Sequence, residues 1–515
     1  MEVYNWAREL LEDVPGGNLK WLILATGVGY LAYRILWWGY VQIQLPPGPI
    51  GWPWLGYTRC LGSDAFKEVQ LLHRKYGPVV SFRLCGKLVI VLNDEDSIKE
   101  AALRQRALIG RHTMLTNHLL AKGFGISNYD GENATFLRRI FIRGLHLVMP
   151  GRTCDRLGRS PPVSDDPLNA STDRADLLTE KKLAAECSKL VDFLHRQNGE
   201  PVEINSVFRH LVWNVVWVAG FGTDCPLDDN TITELIHCVA ENNSVNGPFQ
   251  FKQMLPNIWY YVLLHSRLAR RMLGVDEIWN RYERVTSILS HAVQTVIANP
   301  NRSKGCLISQ LLDGGGGNVS LQDVNRLAFE LMAAGVDTTT LTLVWSCYAI
   351  ASGKLEVSDG DAFGESHLEV VHRLASVVPM ALPHYARFDS RIHGYYVPKG
   401  SAVFFNVFAV HQAQLQALAA KRGCPHAQNG ISRPKTLLCE SAIPFSLGPR
   451  ACPGFMFATR VITRVMSHIV EQFRIEECSD ASDTANCQTG GLTRPPVAQC
   501  YRFIARKDIN LRAQQ

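Results

Sequence analysis

Several signatures that would settle the class of this chain are missing from it. Its 14 cysteines are scattered over 515 residues without a C-x-x-C pair. That excludes zinc-ribbon spacing and the disulfide framework of a small secreted domain. Reduced, buried thiols on the cytosolic side are expected instead. Long basic blocks are lacking too. The formal net charge of +6 is spread along the chain, no nucleic-acid motif accompanies it, and no nucleic acid is expected as a partner. A locally basic face that docks an acidic protein is compatible with that charge. No Gly-Lys-Ser/Thr follows the run Gly314 to Gly317, so this is a flexible lead-in and not a phosphate loop. No flavin or nicotinamide fingerprint is evident, so electrons for any redox chemistry come from another protein. With 46% hydrophobic and 19% charged residues the composition is globular, and length alone suggests roughly three domains.

The apolar segment from Trp21 to Val41 is long enough to span a bilayer, which takes about 20 residues. Trp37, Trp38 and Tyr40 suit an interfacial belt, and Arg34 can snorkel to it. The acidic flank before the segment, with Glu2, Glu9, Glu12 and Asp13, argues against a cleaved signal peptide. Residues 1–44 are therefore read as a membrane anchor. Prolines in Leu45 to Pro53 fix φ and remove donors, which makes residues 45–56 a stiff hinge. Residues 57–515 form one large domain. In it, Val79 to Leu84 and Leu88 to Leu92 read as a hairpin, followed by a helix from Asp94 through Leu103. A further helix covers Asp130 to Leu145, and Arg139 and Arg143 there read as a solvated basic face. Residues 151 to 180 read as a loop. Helical stretches follow at Leu183 to His195, Val207 to Val218, Ile232 to Val239 and Val275 to Ala298.

Two stretches carry chemistry. In Phe445-Ser446-Leu447-Gly448-Pro449-Arg450-Ala451-Cys452-Pro453-Gly454, a cysteine ends a Gly/Pro-rich turn before an apolar run from Phe455. Proline suits a first helical turn, so Cys452 is expected at the positive end of a helix. That setting lowers a thiol pKa and holds a thiolate for metal ligation. Arg450 is placed to neutralise an anionic cofactor group, and Gly448 lets backbone approach a flat ligand. The plain alternative is a buried free cysteine in a helix-entry turn. Upstream, Ser320-x-x-Asp323 reads as a helix cap before the apolar stripe Val324, Leu327, Ala328, Leu331 and Met332. Ala334-Gly335-Val336-Asp337-Thr338-Thr339 lies within that helix. Gly335 weakens a helix interior by roughly 1 kcal/mol and the threonines compete for backbone acceptors. A local distortion is expected there, with a polar kink packed in a core as the plain alternative.

The first stretch resembles the F-x-x-G-x-R-x-C-x-G loop of the cytochrome P-450 family, and the second its [A/G]-G-x-[D/E]-T-[T/S] helix motif. Glu369 to Arg373, Pro379 to His384 and Gly394 to Gly400 resemble the microsomal members that include steroid hydroxylases and drug-metabolising enzymes. The resemblance implies a mainly α fold with small β-sheets, one haem-binding catalytic domain behind an N-terminal transmembrane helix. It implies haem b with Cys452 as axial ligand to iron. Phe445, Gly448, Arg450, Ala334 and Gly335 would contact the cofactor, and Arg138 and His384 would reach its propionates. Asp337 and Thr338 would deliver protons, and Glu369 with Arg373 would form a structural pair. Residues 108–126 would form a loop over the haem, and residues 374–384 would line the pocket. The implied reaction inserts one oxygen atom from O2 into a lipophilic substrate, a sterol or steroid, a fatty acid or a xenobiotic. Implied partners are NADPH–cytochrome P-450 reductase, with cytochrome b5 as a further candidate, and membrane lipid. The implied location is the endoplasmic reticulum membrane, with the catalytic domain facing the cytosol.

The sequence departs from that pattern in four places. Ala134 stands where the family's W-x-x-x-R has Trp. Glu369 lies four residues before Arg373 and not three, an i,i+4 spacing that still permits an ion pair. The stretch between Ile350 and Glu369 is short. After His411 the usual P-x-x-F-x-P-x-R-F meander is replaced by a helix-like run and a loop with Cys424 and Pro425, which leaves Arg433 as a weak candidate for the third member of the Glu–Arg–Arg network. These departures carry a second reading, a divergent paralogue that binds haem poorly or without turnover.

Overall fold

The computed structural model describes residues 16–61, 65–111, 119–120, 124–149, 167–245, 251–255, 258–299, 305–358, 360–422, 442–478, 491–496 and 500–506. Cys424, Pro425 and Arg433 lie outside the described residues, as do the side chains of Arg34, Trp37 and Trp38.

Helix α1, Gly16–Gln44, covers the expected anchor and carries exposed Val28, Leu31, Leu36 and Ile43. The Pro-rich stretch after it docks on the first strand: Ser81 N and Oγ donate to the carbonyls of Pro47 and Pro46 at 3.0 and 2.6 Å. Strands β1 (Val79–Leu84) and β2 (Lys87–Leu92) form the expected hairpin. Its two-residue turn, Cys85 and Gly86, has positive φ at both positions, the geometry that matches strand twist. The helix expected after it is Glu95–Lys99, which runs on into a π-turn over Glu100–Arg104. Strand β3, Gly110–Arg111, follows.

The helices that build the core are α2 (Glu132–Leu147), α3 (Pro167–Gln197), α4 (Ile204–Phe221), α5 (Val275–Ala298) and α6 (Leu321–Ala351). The loop expected up to residue 180 is corrected: helix α3 begins at Pro167, a residue whose fixed φ and missing N–H suit a helix start. Helix α6 carries the expected cap, with Ser320 Oγ accepting from Asp323 N at 3.1 Å and Asp323 Oδ2 accepting from Ser320 N at 3.2 Å. Among the described residues, α6 is the helix long and apolar enough to cross a membrane, but most of it is buried inside the protein. It is a core helix. Trp213 and Trp217 of α4 stack against each other and are fully buried beside it. The expected break at Gly335 is corrected as well, since α6 is one continuous α-helix. Thr338, Thr342 and Ser346 turn their hydroxyls onto the carbonyls four residues back at 2.7–2.8 Å, sharing those acceptors with a helix ladder that stays continuous.

After the short connection, α7 (Glu365–Ala375) leads into β4 (His384–Tyr385) and β5 (Ala402–Phe405), then α8 (Val407–Arg422) and α9 (Phe455–Gln472). The main sheet has the order β1-β2-β5-β4-β3. Strand β5 runs parallel to β2, and β4 is antiparallel to both β5 and β3. That register sets Arg111 directly opposite His384. Two residues far apart in sequence are thereby brought to one sheet edge.

Candidate functional site

The cysteine loop is built by backbone. Cys452 N donates to Phe445 O at 2.8 Å, which closes the turn ahead of α9. Gly448 has φ +70°, and a Cβ there would stand 2.4 Å from the carbonyl oxygen of Ala102. Glycine is therefore needed here for packing on the π-turn. The Phe445 ring meets His372 of α7 edge-on at 5.1 Å and Phe455 at 6.1 Å. Cys452 is accessible, yet burial pushes its thiol pKa up, against the lowering influence of the Gly454 N–H and of Arg138. The expected lowered pKa is thus corrected, because desolvation outweighs the helix end.

Near this sulfur lies a set of cations, half-buried at Arg138 and buried at Arg111 and Arg450. Arg138 on α2 donates to Ala451 O, next to Cys452. Arg450 is buried and ion-paired with Asp130. Arg387 also reaches Asp130 at 2.7 Å, and Arg111 N donates to it at 2.9 Å. The Arg111 guanidinium is held by the carbonyls of Leu382 and Arg450, both at 3.3 Å. Burial, with Arg450 and Arg138 adding to it, lowers the pKa of Arg111 to about 9. Burial also lowers Arg138 and Arg450, and holds His384 well below its ordinary value. Arg111 Nε and His384 Nδ1 are buried without a hydrogen-bond partner among the described residues. Cationic charge and open donor sites here exceed what Asp130 satisfies, and buried groups of that kind call for an anion. Sequence reasoning missed Arg111, Asp130 and Arg387. Asp130, a shared partner of Arg111 N, Arg387 and Arg450, brings them together from distant parts of the sequence.

Ala334 is exposed and Thr338 partly exposed in the middle of α6, although most of that helix is buried. Thr338 Oγ1 donates to Ala334 O at 2.7 Å. Gly335 leaves ordinary room: a Cβ there would lie 3.7 Å from the Val216 methyls. Asp337 is 2% exposed. Its Oδ1 accepts from Arg209 Nη2 at 3.2 Å and its Oδ2 from Thr493 Oγ1 at 3.0 Å.

Glu369 and Arg373 do pair across one turn of α7, at 3.5 Å. Arg373 Nε also donates to Gln414 Oε1 at 3.0 Å, and Gln414 Nε2 donates to Glu95 Oε2 at 3.1 Å. A neutral amide on α8 thus links Arg373 to Glu95. On the exposed side of α2, Arg139 and Arg143 face solvent.

A sequence profile described as Cytochrome P450 matches residues 46–152, 169–354 and 371–501. The unmatched residues 355–370 contain the displaced Glu369 and the short connection. Cytochrome P450 2F2 of Rattus norvegicus is 24% identical over 516 residues, 94% of this chain and 98% of that protein. Cytochrome P450 2C44 of Mus musculus is 24% identical over 502 residues, 90% and 94% of the two chains. Cytochrome P450 1A1 of Homo sapiens is 23% identical over 480 residues, 82% and 86%. With that profile matched over most of its length and a mainly helical fold around a capped central helix, the chain belongs to the cytochrome P450 family and is a haem-dependent monooxygenase.

Proposed function

We propose that the chain binds haem b with Cys452 as the axial thiolate and inserts one atom of O2 into a lipophilic substrate, a sterol or steroid, a fatty acid or a xenobiotic. The observation that carries this reading is the donor set: an accessible sulfur beside half-buried Arg138, with Arg111, Arg450 and His384 buried, whose cationic charge exceeds that of Asp130. A flat metal complex bearing two carboxylates fits that set. The Cys452 sulfur would hold the iron as a thiolate in place of the thiol proton, which would remove the cost of the raised pKa. When bound, the haem supplies oxygen activation, favoured by a thiolate ligand.

The protein's own residues bind, orient and protonate. Arg138, Arg111 and Arg450 hold the acidic edge, and His384 adds a neutral donor. The Gly454 N–H steadies the sulfur. Phe445, Ala334 and Gly335 border the same site. Asp337 and Thr338 deliver protons, with Thr338 accessible for that work and Asp337 fixed by two donors. Glu369 and Arg373 brace α7 behind the loop. Electrons come from NADPH through NADPH–cytochrome P-450 reductase, for which Arg139 and Arg143 offer a basic docking face, with cytochrome b5 as a second donor. Residues 1–44 anchor the chain in the endoplasmic reticulum membrane, 45–56 form the hinge, and 57–515 face the cytosol as the catalytic domain.

The reduced, carbon-monoxide-treated protein tests this. A thiolate-type Soret band that Cys452→Ala abolishes is the expected result. An unchanged band in Cys452→Ala removes the ligand assignment, and a histidine-type band or no haem in the unmutated protein favours the divergent paralogue without turnover. A steroid, fatty-acid and xenobiotic panel with reconstituted reductase then identifies the substrate class.

A further inference from the structure

Two groups that hold Asp337, Arg209 and Thr493, differ in what they can pass to it. Arg209 on α4 donates to Oδ1 at 3.2 Å, but a guanidinium has donors only and keeps its proton. It fixes the carboxylate and transfers nothing. Thr493 donates to Oδ2 at 3.0 Å, and a hydroxyl has one donor and two acceptor lone pairs. It can take a proton on one side while giving its own on the other. Thr493 is partly exposed whereas Asp337 is buried, so the hydroxyl stands between carboxylate and solvent.

The placement of Thr493 is fixed by its neighbour. Arg494 N donates to Val377 O at 2.8 Å, and Arg494 Nη1 donates to the carbonyls of Leu374 and Ala375 at 2.9 and 2.8 Å. Arg494 O accepts from Trp345 Nε1 of α6 at 2.9 Å. The guanidinium also lies over the Trp345 ring at 4.7 Å. The segment 491–496 is thereby strapped to the central helix and to the end of α7. Thr493 is held in register with Asp337 by contacts that do not involve its own side chain.

We propose that Thr493 is a positioning residue for the monooxygenase reaction, the hydroxyl through which buried Asp337 regains its proton from solvent. In that step a hydronium ion outside gives a proton to Thr493 Oγ1 as Oγ1 gives its own to Asp337 Oδ2. One O–H bond breaks and one forms at the hydroxyl, and no electron moves. The inference rests on the proton-delivery role given above to Asp337.

The test uses the full-length holoenzyme with reductase, NADPH and progesterone as a lipophilic probe. In Thr493→Val, which keeps the volume, peroxide released per NADPH rises at least about threefold, within the range that one lost hydrogen bond gives. The solvent deuterium isotope effect grows, and Thr493→Ser restores both. Independently of turnover, infrared difference spectra carry an Asp337 carboxylate band, identified by its loss in Asp337→Asn. That band shifts in Thr493→Val and returns in Thr493→Ser. An unchanged ratio and an unmoved band in Thr493→Val overturn the inference. If Asp337→Asn leaves the peroxide ratio unchanged, the role of Asp337 itself fails. If Asp337→Asn raises it and Thr493→Val does not, only the role of Thr493 fails. Should Thr493→Val lose haem, Thr493→Cys, a weaker donor of similar size, is read against the same outcomes.

Discussion

At Gly448 a Cβ would stand 2.4 Å from a backbone oxygen, and φ is already +70°. At Gly335 it would meet only side-chain methyls at 3.7 Å, inside a regular helix. The two motif glycines therefore respond oppositely to alanine. Gly448→Ala is expected to cost about 1–3 kcal/mol for the left-handed backbone alone, with the Ala102 contact adding to it, and to loosen the Cys452 loop. Gly335→Ala is expected to gain about 0.5–1 kcal/mol, because it restores a side chain to a helix interior. Urea unfolding of the two variants checks the signs, and equal destabilisation would show that the helix needs its glycine for another reason. The sequence pattern contained both glycines and Cys452, but it could not separate a glycine demanded by a clash from one that is not. That difference comes from Ala102, a residue on another element. Arg450 was legible in the same way: its charge was expected, while its pairing with Asp130 joins residues 320 apart in sequence that no local window contains.

Between α7 and α8 lies a pair of buried histidines that the element pattern alone did not announce. His411 Nε2 accepts from Ile443 N at 3.1 Å, so its proton sits on Nδ1, which contacts Ser376 Oγ at 2.9 Å. Protonating Nε2 would set two N–H groups against each other. Burial, with His372 and Arg373 adding to it, lowers the pKa of His411 to about 3, and burial with Arg373 lowers His372 to about 3. Both folded values lie below the ordinary 6.5, so protons bind the unfolded chain more readily. The stabilisation is complete above about pH 6.5 and is lost as pH falls towards 3. Each histidine contributes a slope of about 1.4 kcal/mol per pH unit within that window. His411→Asn is expected to flatten unfolding free energy against pH by about one such slope, and an unchanged slope would mean that His411 is charged in the folded state. The helices themselves were legible from apolar periodicity. Their mutual contacts were not: the helix-like run expected after His411 is α8, and Gln414 on it supplies the acceptor for Arg373.

Across the whole molecule, the end of α1 meets the body. Gln44 Oε1 accepts from Arg391 at 2.8 Å, and the next residues are clamped on Ser81. Just beyond that clamp Ile50, Trp52 and Trp54 are 99%, 71% and 91% exposed. Trp52 and Gly56 exchange two backbone hydrogen bonds of 2.8 Å, which hold this turn out from the surface. Burying three such side chains is worth roughly 5 kcal/mol, a dissociation constant of about 0.2 mM and hence reversible membrane contact. A helix with about 20 apolar residues is in effect irreversible by comparison. Deleting residues 1–40 is therefore expected to leave the carbon-monoxide spectrum unchanged while the protein moves from carbonate-resistant to carbonate-extractable membrane binding. Adding Trp52→Ser and Trp54→Ser to the deletion should then shift it to the supernatant. Carbonate-resistant binding after the deletion would place the anchor elsewhere in the chain, and loss of the spectrum would mean that α1 supports the fold and does more than tether it.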